Sequence, residues 1–308
     1  MKETEVCFLK VKKEYLKFLK REKIFTKSNI AKLDNLKKNY IPISFWIEKK
    51  YKEKGKTLFL GLSGGQGSGK TTIAFILKII LKKFFKRSVC VTSIDHFYKT
   101  FEARNALSKK IHPLLKTRGT PGTHDIDLVK NFFNNIKRNK FKKFKIPRFD
   151  KSIDDRIKYK YWSKINKRPE IVLFEGWCVG AKPQKNHQMK KTINILESKE
   201  DKKLIWRKYV NEKLKGQYDK VFSMIDHFIF MKVPSFDMVF KWRLLQEQKL
   251  KKRSHSNKKI MTYNQIKRFI MFYQRITLQM IKDLSKSASI IIFLKKNHDI
   301  KKVLYKKK

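Results

Sequence analysis

Short, unbroken apolar runs alternate along the chain with longer stretches in which apolar residues recur every three or four positions. LFLGLSG (58–64), SVCVTSI (88–94), IVLFEG (171–176), IDHFIFMKV (225–233) and ASIIIFL (288–294) predict five strands buried on both faces. Between them, 71–85, 125–138, 189–214, 235–250 and 263–283 carry the helical period. This alternation predicts an α/β fold, a mainly parallel sheet with helices on both faces. Ahead of the first strand, Phe8, Leu9, Tyr15, Phe18 and Leu19 recur at helical spacing. Residues 1–50 therefore read as an N-terminal helical extension of two or three short helices, packed on a main domain of 51–300. The residues 301–308, KKVLYKKK, read as a frayed basic tail.

The first strand runs into Gly64-Gly65-Gln66-Gly67-Ser68-Gly69-Lys70-Thr71-Thr72, which contains the pattern GxxxxGK[ST]. Glycines let the backbone curl so that successive N–H groups point at phosphate oxygens, and the helix that follows adds its positive end. Lys70 is placed to reach the β- and γ-phosphates, and the Thr71 hydroxyl to ligate Mg²⁺. The flanking strand and helix supply the required context. The expected architecture is thus the three-layer P-loop NTPase sandwich, with ATP and Mg²⁺ as cofactors. Two carboxylates follow buried strands directly: Asp95 after SVCVTSI, and Glu175 within IVLFEG. Both fall at the carboxyl edge of the sheet, where open α/β folds bind ligands. Asp95 suits a general base and Glu175 a contact to metal or water. Each also has a plainer reading as a cap of the next helix.

Composition changes this picture in one respect. The 308 residues carry 77 Lys+Arg against 26 Asp+Glu, a formal net charge of +51. Such a charge raises nucleic acid as a partner. Only 13 of the 77 basic residues are arginine, the side chain suited to bidentate base and phosphate recognition, and the lysines are spread without a dense block. The charge therefore reads as solvated surface rather than as a nucleic-acid interface. Three cysteines without a CxxC pair argue against a disulfide scaffold or a zinc ribbon and fit a reduced, cytoplasmic setting. The best apolar run, 73–81, is interrupted by Lys78 and is too short to cross a membrane.

The P-loop, SIDHFYKT (93–100), RGTPGTHDIDL (118–128), IPRFDKS (146–152), LFEGWCVGAKP (173–183) and FKWRLLQEQ (240–248) occur in an order that resembles the plant-type D-glycerate 3-kinases. These are P-loop kinases related to uridine kinase, pantothenate kinase and phosphoribulokinase. The resemblance spans roughly residues 40 to 295 and implies an ATP-dependent kinase of a small anionic hydroxy acid, D-glycerate above all. A uridine- or pantothenate-type kinase is the nearest alternative. An ATP-regulated nucleic-acid-binding protein and a catalytically silent relative are more distant ones. The family's SIDDFY is matched by SIDHFY, so Asp95 carries the first Asp and His96 replaces the second. The resemblance places Thr123, His124 and Asp125 at the acceptor pocket, with Arg118 nearby to hold a carboxylate. After Lys151 the family's Gly-containing stretch is shortened, but Asp155 and Arg156 match its end.

Arg148, Asp150, Lys151 and Arg156 are therefore expected at the acceptor, or else form a surface ion-pair cluster. The plainer reading of Asp125 is a cap of the helix that starts at Ile126. The basic stretch at about 249–262 reads as a lid that excludes water. Arg243, and with it Arg275 on the next helix, are candidates to stabilise the transferring phosphoryl group or the acceptor, unless they lie on helix surfaces. Trp177 reads as a pocket wall rather than an adenine stack, and Cys178 as a buried apolar residue.

Overall fold

The protein is described here by a computed structural model covering residues 2–24, 29–253 and 261–306. A six-stranded sheet forms its centre. In chain order the strands are β1 (Leu58–Gly64), β2 (Val89–Ser93), β3 (Ile171–Gly176), β4 (His227–Lys232), β5 (Ile290–Leu294) and β6 (Ile300–Tyr305). Their spatial order is β6-β5-β4-β1-β3-β2, parallel throughout except for β6 against β5. Every residue of β1 and β3 is buried. Alternate side chains feed two cores: Phe59, Val172 and Phe174 on one face, and Leu58, Leu60, Leu62, Ile171 and Leu173 on the other. The result is the predicted three-layer sandwich.

The N-terminal helices belong to the second core. Helix α1 (Glu3–Arg21) buries Cys7, Val11, Tyr15, Phe18 and Leu19, and Phe18 stacks on Phe75 of α3 (Lys70–Lys83) with ring centroids 6.3 Å apart. Helix α2 (Ile41–Lys54) sets Phe45 edge-on against Phe85 at 4.9 Å. It ends at Gly55, whose φ of 65° is the left-handed cap that a glycine accepts without strain. Arg87 then clamps α2 to the sheet, donating to both oxygens of the buried Glu48 and to Glu170.

Two sequence expectations change. The stretch 301–308, expected to be a frayed tail, begins inside β6. Ile300 and Val303 pack on the core while Lys301 and Lys302 face water, which gives a paired edge strand guarded by charge. The single helix expected over 189–214 is broken into α6 (Ile195–Glu200) and α7 (Ile205–Lys213). Asp201 causes the break by accepting the N–H groups of Trp206 and Arg207, at 2.9 and 3.1 Å, with Leu204 in a left-handed conformation. Helices α4 (Phe101–Lys110) and α5 (Ile126–Lys137) cover the β2 side, and α8 (Phe236–Arg253) and α9 (Tyr263–Ser287) cover the β4–β5 side. Residues 249–253 of the expected lid continue helix α8, and 254–260 lie outside the described residues.

Candidate active site

The carboxyl ends of β1, β2 and β3 meet at one edge of the sheet. Beyond β1 the chain wraps as a loop, with Gly67 at φ 74° and Gly69 at φ 88°. Close neighbours enforce glycine here. A Cβ on Gly67 would lie 2.8 Å from Cβ of Trp242, and one on Gly65 would lie 2.9 Å from Cγ2 of Val239, both on α8. Helix α3 begins at Lys70 with no side-chain cap, so its first N–H groups are open to an anion. Buried polar atoms also line this cradle without protein partners: Ser63 Oγ, Gln66 Oε1 and Ser68 Oγ. Buried polar atoms are ordinarily hydrogen-bonded, so a cluster of orphans marks a ligand site. The Lys70 ammonium folds back to donate to the carbonyls of Gly64 and Gly65, each at 3.1 Å. Burial lowers its pKa, and the charges of Glu175 and Asp95 oppose that fall.

Glu175 pairs in register with Leu62 of β1 and Ser93 of β2. Its Oε1 accepts the Thr71 hydroxyl at 2.9 Å. Burial raises its pKa, with the Lys70 charge acting against that rise. Asp95 lies in the single tight turn Ile94–Phe97 that ends β2, its N–H held by Ser93 Oγ at 3.2 Å. One carboxylate oxygen accepts the Tyr98 hydroxyl at 2.9 Å and the other the Lys151 ammonium at 2.6 Å. Burial alone would raise the Asp95 pKa. The Lys151 charge and hydrogen bond, aided by His124 and Tyr98, outweigh it and hold the carboxyl well below its usual range.

The loop 118–125 is built next to Asp95. Gly119, at φ 129°, passes under Tyr273, where an added Cβ would fall 2.2 Å from the hydroxyl. The Tyr273 hydroxyl donates to the Arg118 carbonyl at 3.0 Å. Tyr218 accepts the Gly122 N–H at 2.9 Å and lies 2.7 Å from Nδ1 of His124. With that hydroxyl donating to Nδ1, the imidazole proton sits on Nε2. Burial pushes the His124 pKa down to about 4, so the ring is neutral at pH 7. Its Nε2 is buried without a partner and lies within the field of Asp95. The ring stacks on Tyr98 at 4.5 Å. This is a single pre-set N–H donor beside the candidate base.

Other expected acceptor residues are committed to the protein itself. The Thr123 hydroxyl donates to the Thr120 carbonyl at 2.7 Å and accepts the Gly119 N–H at 3.0 Å, so it braces the loop. Asp125 caps α5 by accepting the Leu128 N–H at 3.3 Å and pairs with Arg156 at 3.1 Å. Arg156 also donates to the Tyr98 carbonyl at 2.7 Å. Arg118 is paired with Asp154, whose positive φ of 55° makes the tight turn after Lys151. Arg243 on α8 pairs with Glu247 at 2.7 Å and lies over the Phe269 ring. Trp177 donates to the Gly119 carbonyl at 3.0 Å and packs edge-on against Tyr273, as a wall. Arg148 alone of these arginines is exposed and unmatched by a carboxylate among the described residues.

Arg275 does not reach the site. It is 9% exposed and spends its donors on both oxygens of the fully buried Glu197, on Gln184 and on the carbonyls of Gln188 and Lys191. Arg207 joins the same cluster through Glu197 and Asp201. Removing one partner of a buried pair leaves an uncompensated charge. Arg275→Met is expected to cost about 3–5 kcal/mol of stability. Urea denaturation checks this, and the acceptor KM of the folded variant should be unchanged. A raised KM with wild-type stability would return Arg275 to the acceptor site.

Sequence reasoning missed Arg104, Tyr98, Tyr218 and Tyr273. Arg104 is fully buried and ties the acceptor loop together through the carbonyls of Lys99, Lys116 and Asp154. No local signal marks it, because each partner comes from a different segment. Tyr98 alone was within reach, since a hydroxyl three residues after a candidate base is placed to hydrogen-bond it.

No family model matches the chain. It is 34% identical over 218 residues to the "uncharacterized kinase mug58" of Schizosaccharomyces pombe, covering 68% of this chain and 77% of that one. To the chloroplastic D-glycerate 3-kinase of Arabidopsis thaliana it is 32% identical over 225 residues, 68% of this chain and 47% of that one. Among solved structures, D-glycerate 3-kinase from Cryptococcus neoformans superposes with a TM-score of 0.72 at 21% identity, covering 86% of this chain and 98% of that one. At that identity the superposition speaks to the fold.

Proposed function

Because this chain belongs to the D-glycerate 3-kinase family of P-loop kinases, we propose that it transfers the γ-phosphoryl group of ATP to the primary hydroxyl of D-glycerate, giving 3-phosphoglycerate. The observation that carries the reading is the convergence of Lys70, Glu175 and Asp95 at one sheet edge beside an anion cradle of unpartnered polar atoms. Phosphoryl transfer asks the protein chiefly for positioning and charge stabilisation, and these residues supply both.

Lys70 exchanges the two carbonyls it now holds for phosphate oxygens and neutralises charge on the transferring group. The open N–H groups of α3 and the loop, with Ser68, hold the remaining phosphate oxygens. Thr71 and Glu175 offer a hydroxyl and a carboxylate oxygen, a hard oxygen pair that suits Mg²⁺, which keeps water and phosphate as its other ligands. When bound, the ion supplies charge neutralisation on the phosphates.

Asp95 accepts the hydroxyl proton as the oxygen attacks the γ-phosphorus, and the His124 Nε2–H donates to an acceptor oxygen. Lys151 links acceptor binding to chemistry. The acceptor carboxylate competes with Asp95 for this ammonium. As Lys151 turns to the substrate, Asp95 loses the charge that depresses its pKa and becomes the stronger base.

An ADP-release assay with D-glycerate, pantothenate, uridine and glycerol tests the reading. Turnover on glycerate is expected to exceed that on the neutral acceptors uridine and glycerol by at least about 10²-fold in kcat/KM, because a neutral acceptor gives Lys151 no carboxylate to turn to, and to exceed that on pantothenate, a larger monoanion whose carboxylate lies far from its reacting hydroxyl. Faster turnover of uridine or pantothenate would replace the substrate. ADP release independent of any acceptor would remove the kinase assignment.

A further inference from the structure

The stretch shortened after Lys151 closes as a four-residue turn, 151–154, between two short paired strands, Phe149–Asp150 and Asp155–Arg156. The turn holds no glycine, and Asp154 itself takes the left-handed conformation at φ 55°. Aspartate is one of the few side chains that enter this region readily, and such a departure persists where its surroundings fix it. Two arginines do so here. Arg104, fully buried, donates to the Asp154 carbonyl at 2.6 Å and pairs with one carboxylate oxygen at 3.1 Å. Arg118 takes the other carboxylate oxygen and completes the clamp. The Arg104 guanidinium also holds the carbonyl of Lys99, just past the Asp95 turn, at 3.3 Å and that of Lys116 at 2.7 Å. One buried group thus fixes the turn 151–154 against the segment that carries Asp95. The ribbon is tied to that segment again by the Phe101 N–H, which donates to Asp155 at 3.0 Å, and by Arg156 on the Tyr98 carbonyl at 2.7 Å.

Lys151 opens the turn and meets Asp95 at 2.6 Å, although its side chain is 60% exposed. Holding an exposed lysine on one partner costs rotamer entropy, and the cost is least when the backbone beneath it is already fixed. We infer that Asp154 is a positioning residue of the phosphoryl transfer: clamped by Arg104 and Arg118, it fixes the turn from which Lys151 reaches Asp95. The inference rests on the kinase reading above and adds a residue that acts through Lys151 rather than on a substrate. Lys151 leaves Asp95 for the acceptor by a side-chain swing over a backbone that stays in place, and it returns to the same carboxylate after release. With the clamp undone, the turn becomes a loose tip, and Lys151 meets neither the base nor the acceptor at a set distance. Asp154 also supplies the counter-charge that the buried Arg104 needs.

The test uses the full-length enzyme, Mg-ATP and D-glycerate. Asp154→Gly suits the left-handed turn and removes the clamp. It is expected to raise the KM for glycerate about 10-fold, the lower end for one lost charge-assisted hydrogen bond, with the KM for ATP within about twofold. Lys151→Met should do the same. The double variant should be no worse than Lys151→Met alone, because both changes remove one contact. Asp154→Asn enters the same turn and offers the arginines an amide oxygen, so it should recover most of what glycine loses. Where Asp154→Gly fails to fold, one glycine inserted between the exposed Ser152 and Ile153 leaves the clamp whole and frees Lys151 from it. The same rise in glycerate KM is expected there. A merely structural role for Asp154 would instead lower the melting temperature and kcat, leave the glycerate KM in place and add to the loss from Lys151→Met. Additive losses, or a wild-type glycerate KM in either folded variant, overturn the inference. So does a Lys151→Met enzyme with an unchanged glycerate KM, an outcome that leaves the kinase reading standing. A wild-type enzyme that releases no ADP with any acceptor overturns both.

Discussion

Replacing Lys70 by alanine is expected to cut kcat by at least about 10³-fold, the scale measured when a charge aimed at a transferring phosphoryl group is removed. The reason lies in how the ammonium is held. It is buried, so its charge acts through a medium that screens poorly, and burial already strains it towards neutrality. Among the described residues its hydrogen-bond partners are two backbone carbonyls, those of Gly64 and Gly65. These bonds are exchanged for phosphate oxygens at little cost. The charges of Glu175 and Asp95 oppose the shift towards neutrality. Alanine removes the positive charge and leaves the loop's glycine-determined path, so folding should be preserved. Single-turnover phosphoryl transfer with saturating Mg-ATP reads the effect directly. A variant with kcat within a few-fold of wild type would remove the cradle from the mechanism.

The parts of this site that the sequence disclosed are those whose chemistry is local. The phosphate loop is nine consecutive residues between a strand and a helix, and its glycines are required by neighbours such as Trp242 and Val239. Asp95 and Glu175 were visible because a charge ending a buried apolar run has few places to go except the sheet edge. The acceptor side was less legible. Arg275 looked like a ligand for an anion until Glu197, 78 residues away, took it. Arg118 was claimed in the same way by Asp154. Thr123 and Asp125 have the right chemistry for hydroxyl recognition, but turns and helix starts demand that same chemistry, and there the local demand won. His124 differs from them because Tyr218, 94 residues on, satisfies one nitrogen and leaves the other open. The fold follows the same rule. Both-face burial made the five parallel strands evident. The edge strand β6 needs only Ile300 and Val303 inside, too little apolar pattern to stand out among lysines.

Asp95→Asn should lower kcat on glycerate by roughly 10²–10⁴-fold, the usual worth of a positioned general base, while Mg-ATP affinity stays within about threefold. The substitution is nearly isosteric. Tyr98 can still donate to the amide oxygen, so the turn that ends β2 should persist. The ion pair with Lys151 is lost, but that lysine side chain is 60% exposed, and an exposed pair contributes little to stability. The pH dependence separates a base from a structural carboxylate. The Asp95 pKa is depressed in the folded enzyme, so the carboxylate is ionised throughout the neutral range and loses its charge only below the ordinary carboxylate region. For kcat/KM, which reports the free enzyme, no acid limb from Asp95 should appear near neutrality. For kcat, which reports the complex, the limb should move upward, because the acceptor carboxylate draws Lys151 away from Asp95 and removes the charge that held its pKa down. The same sign holds for stability. A depressed carboxylate pKa stabilises the fold above the unfolded value and loses that contribution as pH falls. The Asn variant should lack the upward shift between the two profiles as well as the rate. An unchanged kcat, or a kcat profile with its acid limb no higher than that of kcat/KM in the wild type, would take Asp95 and its exchange of Lys151 out of the mechanism.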